Sequence, residues 1–173
     1  TVEELDLAHQ LSESAGKLVI SDTNNDRVLL LDAFSAPGEI LVERSYCPTR
    51  LSRPTSVARF PDVGLVVVDR GNRRVVAVDD ERLAPRPDLF ERLLNDRVPT
   101  AAAIIPAAGT ALLAVLTRAG RLSRPSLSLY DVRSLERVAV LSNDLQDPQG
   151  MAVVEDHLIV VDGVSRRALR ITP

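Results

Sequence analysis

Pairs of opposite charge recur along this 173-residue chain at one fixed spacing. In each pair an aspartate precedes an arginine by five residues, and the pairs are Asp22–Arg27, Asp69–Arg74 and Asp162–Arg167. A carboxylate and a guanidinium that meet across a short turn form a strong, charge-assisted hydrogen bond. Because the pair is copied along the chain rather than unique, we expect a structural role in which the two side chains are in contact and partly buried.

One region departs from this rule and offers a candidate binding surface. Leu116 stands where aspartate is expected and Ser126 where arginine is expected, and nine residues, 117–125, separate them instead of four. This longer loop contains arginines but no acidic residue, and its last five residues, "RLSRP", also occur at 50–54. The candidate binding residues are Arg50, Arg53, Arg118, Arg121 and Arg124. We expect both loops on one face, where guanidinium groups would bind an acidic or phosphorylated segment. The alternative is that an arginine-rich sequence fills its loops with arginine.

Residues for catalysis or metal binding are scarce in the sequence. His9 and His157 are the only histidines, and the single cysteine, Cys47, excludes a disulfide within the chain and a multi-cysteine metal site. The sequence holds no Ser-His-Asp set, no phosphate-binding loop and no metal-ligand spacing. We therefore assign no catalytic residue, no metal ligand and no cofactor.

The segments that position the charged pairs have the pattern of short strands. Asp22 and Asp69 are 47 residues apart, and Asp162 follows Asp69 by 93 residues, about twice that distance. A period of this size indicates a repeat architecture. The first three repeats each contain four short segments rich in Val, Ile and Leu, bounded by Gly, Pro, Asn or Asp, which predicts four strands, and the fourth repeat contains three such segments. The exception is "DLFERLLND" at 88–96, whose apolar spacing also suits one or two helical turns.

Two stretches, "GKLVISDTNNDRVLLLD" and "GLVVVDRGNRRVVAVD", resemble NHL repeats, and "PQGMAVVEDHLIVVDGVSRRALRIT" also fits that pattern. The resemblance implies an all-β β-propeller of about four NHL-like, four-stranded blades. The expected blades span approximately 5–46, 51–96, 97–145 and 146–173, and the last lacks its outer strand. We interpret the chain as an incomplete ring or a segment of a larger propeller. The third strand of the last blade, 168–172, should then have a free edge and favour association with further blades or another copy.

The resemblance leaves three classes of function open. The leading one is a non-catalytic binding or scaffold module that contacts a protein partner through a propeller face. The first alternative is a segment of a six-bladed hydrolase or lyase whose catalytic residues lie outside this chain. Lactonase-like propellers bind calcium with acidic and Asn residues at the ends of their innermost strands, and those positions here read Thr55, Ser56, Thr100, Gln149 and Gly150. The second alternative is RNA binding through the arginine-rich loops.

The net charge and the lengths of the apolar runs indicate which classes of binding partner to expect. The formal net charge is −3, so the whole molecule does not attract nucleic acid or a membrane by its overall charge. No apolar run approaches the length of a membrane span, and no signal peptide is recognisable. We expect a protein partner or further blades rather than nucleic acid or a membrane. The compartment is not specified, although the single cysteine favours an intracellular one.

Overall fold

The structure is a computed structural model in which short antiparallel strands follow one another in sequence order. It describes residues 5–14, 16–36, 39–46, 51–60, 64–79, 85–86, 97–107, 110–120, 123–132, 134, 136–141, 145–155 and 157–172. The strands of the first half are β1 (Ala8–Ser14), β2 (Lys17–Asp22), β3 (Arg27–Ala36), β4 (Glu39–Tyr46), β5 (Pro54–Phe60), β6 (Gly64–Asp69), β7 (Arg74–Val78) and β8 (Pro85–Arg86). Those of the second half are β9 (Val98–Ala107), β10 (Thr110–Arg118), β11 (Ser126–Asp131), β12 (Arg137–Leu141), β13 (Pro148–Val154), β14 (His157–Asp162) and β15 (Arg167–Ile171).

Each repeat forms its own antiparallel sheet. The sheets have the strand orders β1-β2-β3-β4, β5-β6-β7-β8, β9-β10-β11-β12 and β13-β14-β15, and we call them the first to the fourth sheet. The only helical segment in the described ranges is a single 3-10 turn at Thr23–Asn25. The all-β expectation is therefore confirmed, with several small antiparallel sheets of three or four strands.

The chain divides into two compact units, residues 1–91 and 92–173. In the first unit, the first and second sheets pack face to face through aliphatic side chains. This cluster contains Val19, Val28, Leu30, Leu51, Val57, Leu65, Val67, Val76 and Val78. The opposite face of the first sheet is also apolar and buried, with Ile20, Leu29 and Leu31 in one cluster. Burial of both faces explains why these strands are continuous apolar runs rather than alternating ones.

The second unit is built in the same way from the third and fourth sheets. Its core cluster contains Ala101, Ile105, Ala114, Leu116, Leu127, Leu129, Leu145, Leu158 and Val160. Half-buried residues of the fourth sheet, including Met151, Val153, Leu169 and Ile171, pack against this cluster. The fourth sheet has three strands in the described range, so β15 forms one of its edges.

A β-bulge recurs near the start of the first strand of every repeat. In the second repeat Pro54 pairs with Asp69 and Ser56 with Val68, so the register skips Thr55. The same irregularity skips one residue in each of the other sheets, and the skipped residues are His9, Thr100 and Gln149. Bulges redirect side chains and increase local twist, and they are frequent beside functional sites. The residue that the register skips is therefore an equivalent position in all four repeats.

Two sequence-based expectations concerned helices, one at 88–96 and one across a membrane. The alternative helix at 88–96 falls outside the described residues, and the fourth strand of the second sheet is the short β8. The described residues also include no helix long and apolar enough to cross a membrane.

Candidate functional site

The first two charged pairs are in direct contact, as expected. Arg27 Nε donates to Asp22 Oδ2 over 2.7 Å, and Arg74 Nε donates to Asp69 Oδ2 over the same distance. In both cases the two residues are directly opposed across a hairpin, because a four-residue loop makes residue i the cross-strand neighbour of residue i+5. Both aspartates are fully buried. The buried ion pair therefore connects the two strands of the hairpin at the end next to the loop.

The third pair does not form, which corrects the expectation from sequence. Asp162 and Arg167 are cross-strand neighbours, but Arg167 is exposed and no ion pair joins them in the described part of the chain. Backbone N–H groups take the place of the guanidinium: Gln146 N donates to Asp162 Oδ2 over 2.6 Å, and Ser165 N donates to Oδ1 over 3.0 Å. These donors satisfy both carboxylate oxygens of Asp162, so Arg167 is not needed at the buried site.

All three aspartates share a function that the sequence reasoning missed. Each accepts a hydrogen bond from the backbone of the segment that leads into the first strand, and the donors are the N–H groups of Asp6, Ser52 and Gln146. We call the residues just before the first strand of a repeat its lead segment. The carboxylate connects this lead segment to the loop between the second and third strands. The available signal was the recurrent Leu-x-x-Pro of Leu51–Pro54 and Leu145–Pro148, since the donor follows the leucine in both.

Gly71 allows the loop of the second repeat to approach this lead segment closely. Its N–H donates to the carbonyl oxygen of Ser52 over 2.8 Å. A Cβ at Gly71 would lie 2.3 Å from Ser52 Oγ and 2.7 Å from Ser52 O. Only glycine fits at this distance without a shift of the backbone.

Hydrogen bonding lowers the pKa of two of the aspartates against the effect of burial. Burial alone would raise the pKa of Asp22, but the side chain of Asn25, the N–H of Asp6 and the guanidinium of Arg27 outweigh it and lower the pKa below 3.8. Burial likewise opposes ionisation of Asp162, but the hydrogen bonds that its carboxylate accepts from backbone N–H groups outweigh burial and lower its pKa below 3.8. Both groups are therefore anionic at neutral pH.

The third repeat replaces the ion pair with two hydroxyl groups. The register places Thr117, rather than Leu116, in the aspartate position, because Thr117 pairs with both Pro99 and Ser126. The expectation that Leu116 marks this position is therefore wrong by one residue, and the loop comprises the eight residues 118–125. Thr117 Oγ1 lies 3.0 Å from Ser126 Oγ, and both residues are buried. The third repeat thus has neither a carboxylate nor a guanidinium at these two positions.

An arginine from the lead segment reaches into this hydroxyl pair. Arg97 Nη1 donates to Ser126 Oγ, and Arg97 is half-buried. By register, Arg97 is the equivalent of Ser52, two residues before the strand-initiating proline. The guanidinium forms no ion pair with a carboxylate in the described ranges. Arg97 therefore supplies a guanidinium to this hairpin end from a different position, and the two paired positions hold Thr117 and Ser126 instead of aspartate and arginine.

The arginines singled out from the sequence have different surroundings. Arg118 Nη2 donates to Gln149 Oε1, and Arg118 Nε lies 3.2 Å from Asp147 Oδ1 as an ion pair. Arg118 therefore has an acidic neighbour that its own loop does not contain. Arg124 and Arg53 are exposed, and Arg53 N donates to Asp26 Oδ1 over 2.7 Å.

The remaining candidates, Arg50 and Arg121, lie outside the described residues. Arg53 belongs to the first unit and Arg118 and Arg124 to the second. A common face for the two arginine-rich loops remains a prediction.

No metal-binding group stands out in the part of the chain that the structure describes. No cluster of three or more His, Cys, Asp or Glu residues occurs there. His157 on β14 forms a hydrogen bond with Arg170 on the neighbouring strand β15, since His157 Nε2 lies 2.6 Å from Arg170 Nη2.

Comparison with known proteins gives a fold likeness alone. No protein-family model matches the chain, and no curated protein matches it. Among solved structures, the chain is similar to one described as the crystal structure of the computationally designed Ika4 protein, with 11% sequence identity and a TM-score of 0.67. The match covers 99% of this chain and 94% of that chain. At this identity the likeness concerns the fold and carries no functional information.

Proposed function

We propose that the chain is an array of NHL-like propeller blades that acts as a non-catalytic binding module, and that its third repeat binds an acidic segment of a partner protein. The observation that carries the proposal is the missing carboxylate of the third repeat. In the first two repeats a guanidinium and backbone N–H groups hold an internal carboxylate. In the third repeat Arg97 supplies a guanidinium from a different position, and Thr117 stands where the other repeats hold the carboxylate.

The electrostatics of this region favour a carboxylate ligand. Arg97 is half-buried, so its charge is less screened than that of a fully exposed side chain. Guanidinium groups bind carboxylates in a forked geometry, and such charge-assisted bonds are about twice as strong as neutral ones. Arg124, at the end of the 118–125 loop, is exposed and supplies a second positive charge in the same unit. Arg118 is not assigned to ligand binding, because Asp147 and Gln149 already engage it.

A substitution inside the site provides the test. Thr117→Asp places a carboxylate at the position that holds one in the other repeats, so it competes with an external carboxylate for Arg97. Thr117→Asn is the matched control, since it has the same shape without the charge. Fluorescence anisotropy with a labelled Glu-rich peptide should show at least a tenfold loss of affinity for Thr117→Asp and little change for Thr117→Asn, as about 1.4 kcal/mol corresponds to tenfold.

Three further measurements separate this proposal from its competitors. The Gln-rich counterpart of the peptide should not bind, and Arg124→Ala should weaken binding of the Glu-rich peptide. A phosphoserine peptide that binds while the Glu-rich peptide does not would replace the carboxylate with phosphate as the ligand. Tight, steeply salt-dependent binding of a labelled RNA, with no binding of either peptide, would overturn the proposal in favour of RNA recognition.

A further inference from the structure

The two faces of each sheet have different roles in packing. In the first unit, the first sheet contacts the second through Val19, Val28 and Leu30. The second sheet contributes Leu65, Val67, Val76 and Val78 to this contact. Their register positions are one residue away from those that the first sheet uses, so they lie on the opposite face of the sheet. We call the face used by the first sheet the trailing face and the face used by the second sheet the leading face. Each sheet therefore has one face of each kind.

The second unit repeats this arrangement at equivalent positions. The third sheet contributes its trailing face, with Ala114, Leu116, Leu127 and Leu129. The fourth sheet contributes its leading face, with Leu158, Val160, Leu169 and Ile171. Both units use the same register, so trailing-to-leading packing is the way in which the two sheets of each unit associate.

The trailing face of the fourth sheet is apolar and uncovered. Val161 occupies the position of Leu116, but 49% of Val161 is exposed, whereas Leu116 is completely buried. Val154 occupies the position of Ile105 and is also exposed. This face therefore presents to solvent aliphatic side chains at positions that are core in the third sheet.

The leading side of the first sheet shows the complementary exposure. Leu5 precedes β1 as Leu51 precedes β5, yet Leu5 is 43% exposed and Leu51 only 7%. Leu11 is the register equivalent of Val57, and Leu11 is 57% exposed while Val57 is fully buried. Farther from β1, the residues of this face on β2 and β3 are buried, except Leu18, which is half-buried. The open part of the leading face is therefore the strip formed by Leu5 and Leu11.

Opposite charges lie on these two open surfaces. Arg170 is exposed on the trailing face of the fourth sheet, and Glu13 is exposed on the leading side of the first. Their register equivalents, Leu129 and Val153, belong to a single core cluster of the second unit. Trailing-to-leading packing would thus bring a guanidinium and a carboxylate into one interface.

We propose that the trailing face of the fourth sheet binds the leading side of the first sheet of a second copy of this chain. Val154 and Val161 pack against Leu5 and Leu11 of the other copy, and Arg170 pairs with its Glu13. We choose a second copy as the binding partner because the chain itself carries both complementary surfaces. Their residues are equivalent, by strand register, to residues that pack together in the second unit, and their charges are opposite. Such a head-to-tail interface is heterologous, so it either closes into a ring or continues as a filament.

Sedimentation velocity over a micromolar concentration series tests the proposal. The wild-type chain should show concentration-dependent association. Val161→Asp and Leu11→Asp should each be monomeric at the same concentrations, with at least a tenfold increase in Kd, and circular dichroism should show that both retain their strand content. Val138→Asp is the control, because Val138 is equally exposed on β12 but lies on neither surface.

Mixing the variants distinguishes this interface from other modes of association. Val161→Asp keeps an intact leading side and Leu11→Asp keeps an intact trailing face, so an equimolar mixture should form dimers and stop there. The charge-reversed variants Glu13→Arg and Arg170→Glu should each associate more weakly than wild type, and the double variant should recover. A monomeric wild-type chain, or a mixture of the two aspartate variants that stays monomeric, would overturn the proposal.

Discussion

Thr117 and Ser126 face each other hydroxyl to hydroxyl, 3.0 Å apart, at the cross-strand position where two other repeats hold an aspartate and an arginine. Both are buried, and the Thr117 hydroxyl also bonds to the carbonyl oxygen of Ser126 over 3.2 Å. A neutral pair therefore replaces a charged one without leaving the hairpin end unsatisfied.

The hydroxyl pair should contribute measurable coupling energy. A double-mutant cycle with Thr117→Val and Ser126→Ala is expected to give about 0.5–1.5 kcal/mol of coupling, the range of a net intramolecular hydrogen bond. Urea unfolding monitored by circular dichroism provides the four free energies. Strict additivity of the two substitutions would show that the hydroxyl groups do not interact.

Arginines at equivalent positions should differ in their importance for stability. Arg74→Ala removes the guanidinium from buried Asp69 and should reduce the free energy of unfolding by about 1–3 kcal/mol, because the aspartate loses a charged partner. Arg167→Ala removes an exposed side chain and should change it by less than about 0.5 kcal/mol. Urea midpoints of the two variants give the comparison, and equal losses would contradict the different roles assigned to the two arginines.

The stability that Asp162 provides should depend on pH in the acid range. Its folded-state pKa lies below the ordinary value of 3.8, so the folded chain holds fewer protons than the unfolded chain in this window. The contribution is fully present above pH 3.8 and is lost as the pH falls from there through the folded-state pKa. Asp162→Asn should therefore be less stable than wild type at neutral pH and approach it in acid.

Unfolding free energies of the Asp162→Asn variant and the wild type across this pH range provide the measurement. Asp22→Asn should show the same trend, since its pKa is lowered as well. A stability difference that stays constant from neutral pH into acid would refute the linkage.

Two glycines should respond oppositely to a methyl group. Gly71→Ala forces a contact with Ser52 and should destabilise the chain by about 1–3 kcal/mol, as overpacking does. Gly150→Ala meets no atom within 4 Å and should lie within about 0.5 kcal/mol of wild type. Thermal unfolding of both variants is the measurement. A tolerated Gly71→Ala would mean that the lead segment moves freely relative to the loop.

The sequence predicts the hairpins well because their geometry is local. A four-residue loop makes Asp22 and Arg27 neighbours whatever surrounds them, so their contact follows from spacing. The surroundings of Asp162 do not follow from spacing, because its partners are backbone N–H groups of Gln146 and Asp147 from a segment 15 or 16 residues earlier. The Leu-x-x-Pro motif marks the segment that supplies these donors, but the same motif precedes Asp69, which keeps its ion pair with Arg74. The motif therefore does not predict that Arg167 is displaced from Asp162.

The third repeat exposes a second limit of sequence reasoning. Leu116 was the expected equivalent of aspartate, but the cross-strand register assigns that position to Thr117. Strand register is set by the hydrophobic pattern and by the geometry of the turn, and the 118–125 loop is longer than the four-residue loops of the other repeats. An apolar run alone therefore does not reveal the bulge at Thr100 or a hydroxyl in place of a carboxylate. Arg97 was missed for the same reason, since it reaches Ser126 from 29 residues away.

The recurrent bulge leaves one residue of each repeat without a partner in the strand ladder, and the four repeats hold His9, Thr55, Thr100 and Gln149 there. The side chain at this position makes contacts of its own. Thr100 Oγ1 donates to the carbonyl oxygen of Leu116 on the neighbouring strand, and Gln149 Oε1 accepts from Arg118 of the preceding repeat. A substitution there changes side-chain contacts at the strand end and leaves the ladder pairing itself intact. At Gln149 the same substitution also changes a contact between two repeats, so the bulge links the chemistry of one repeat to that of its neighbour.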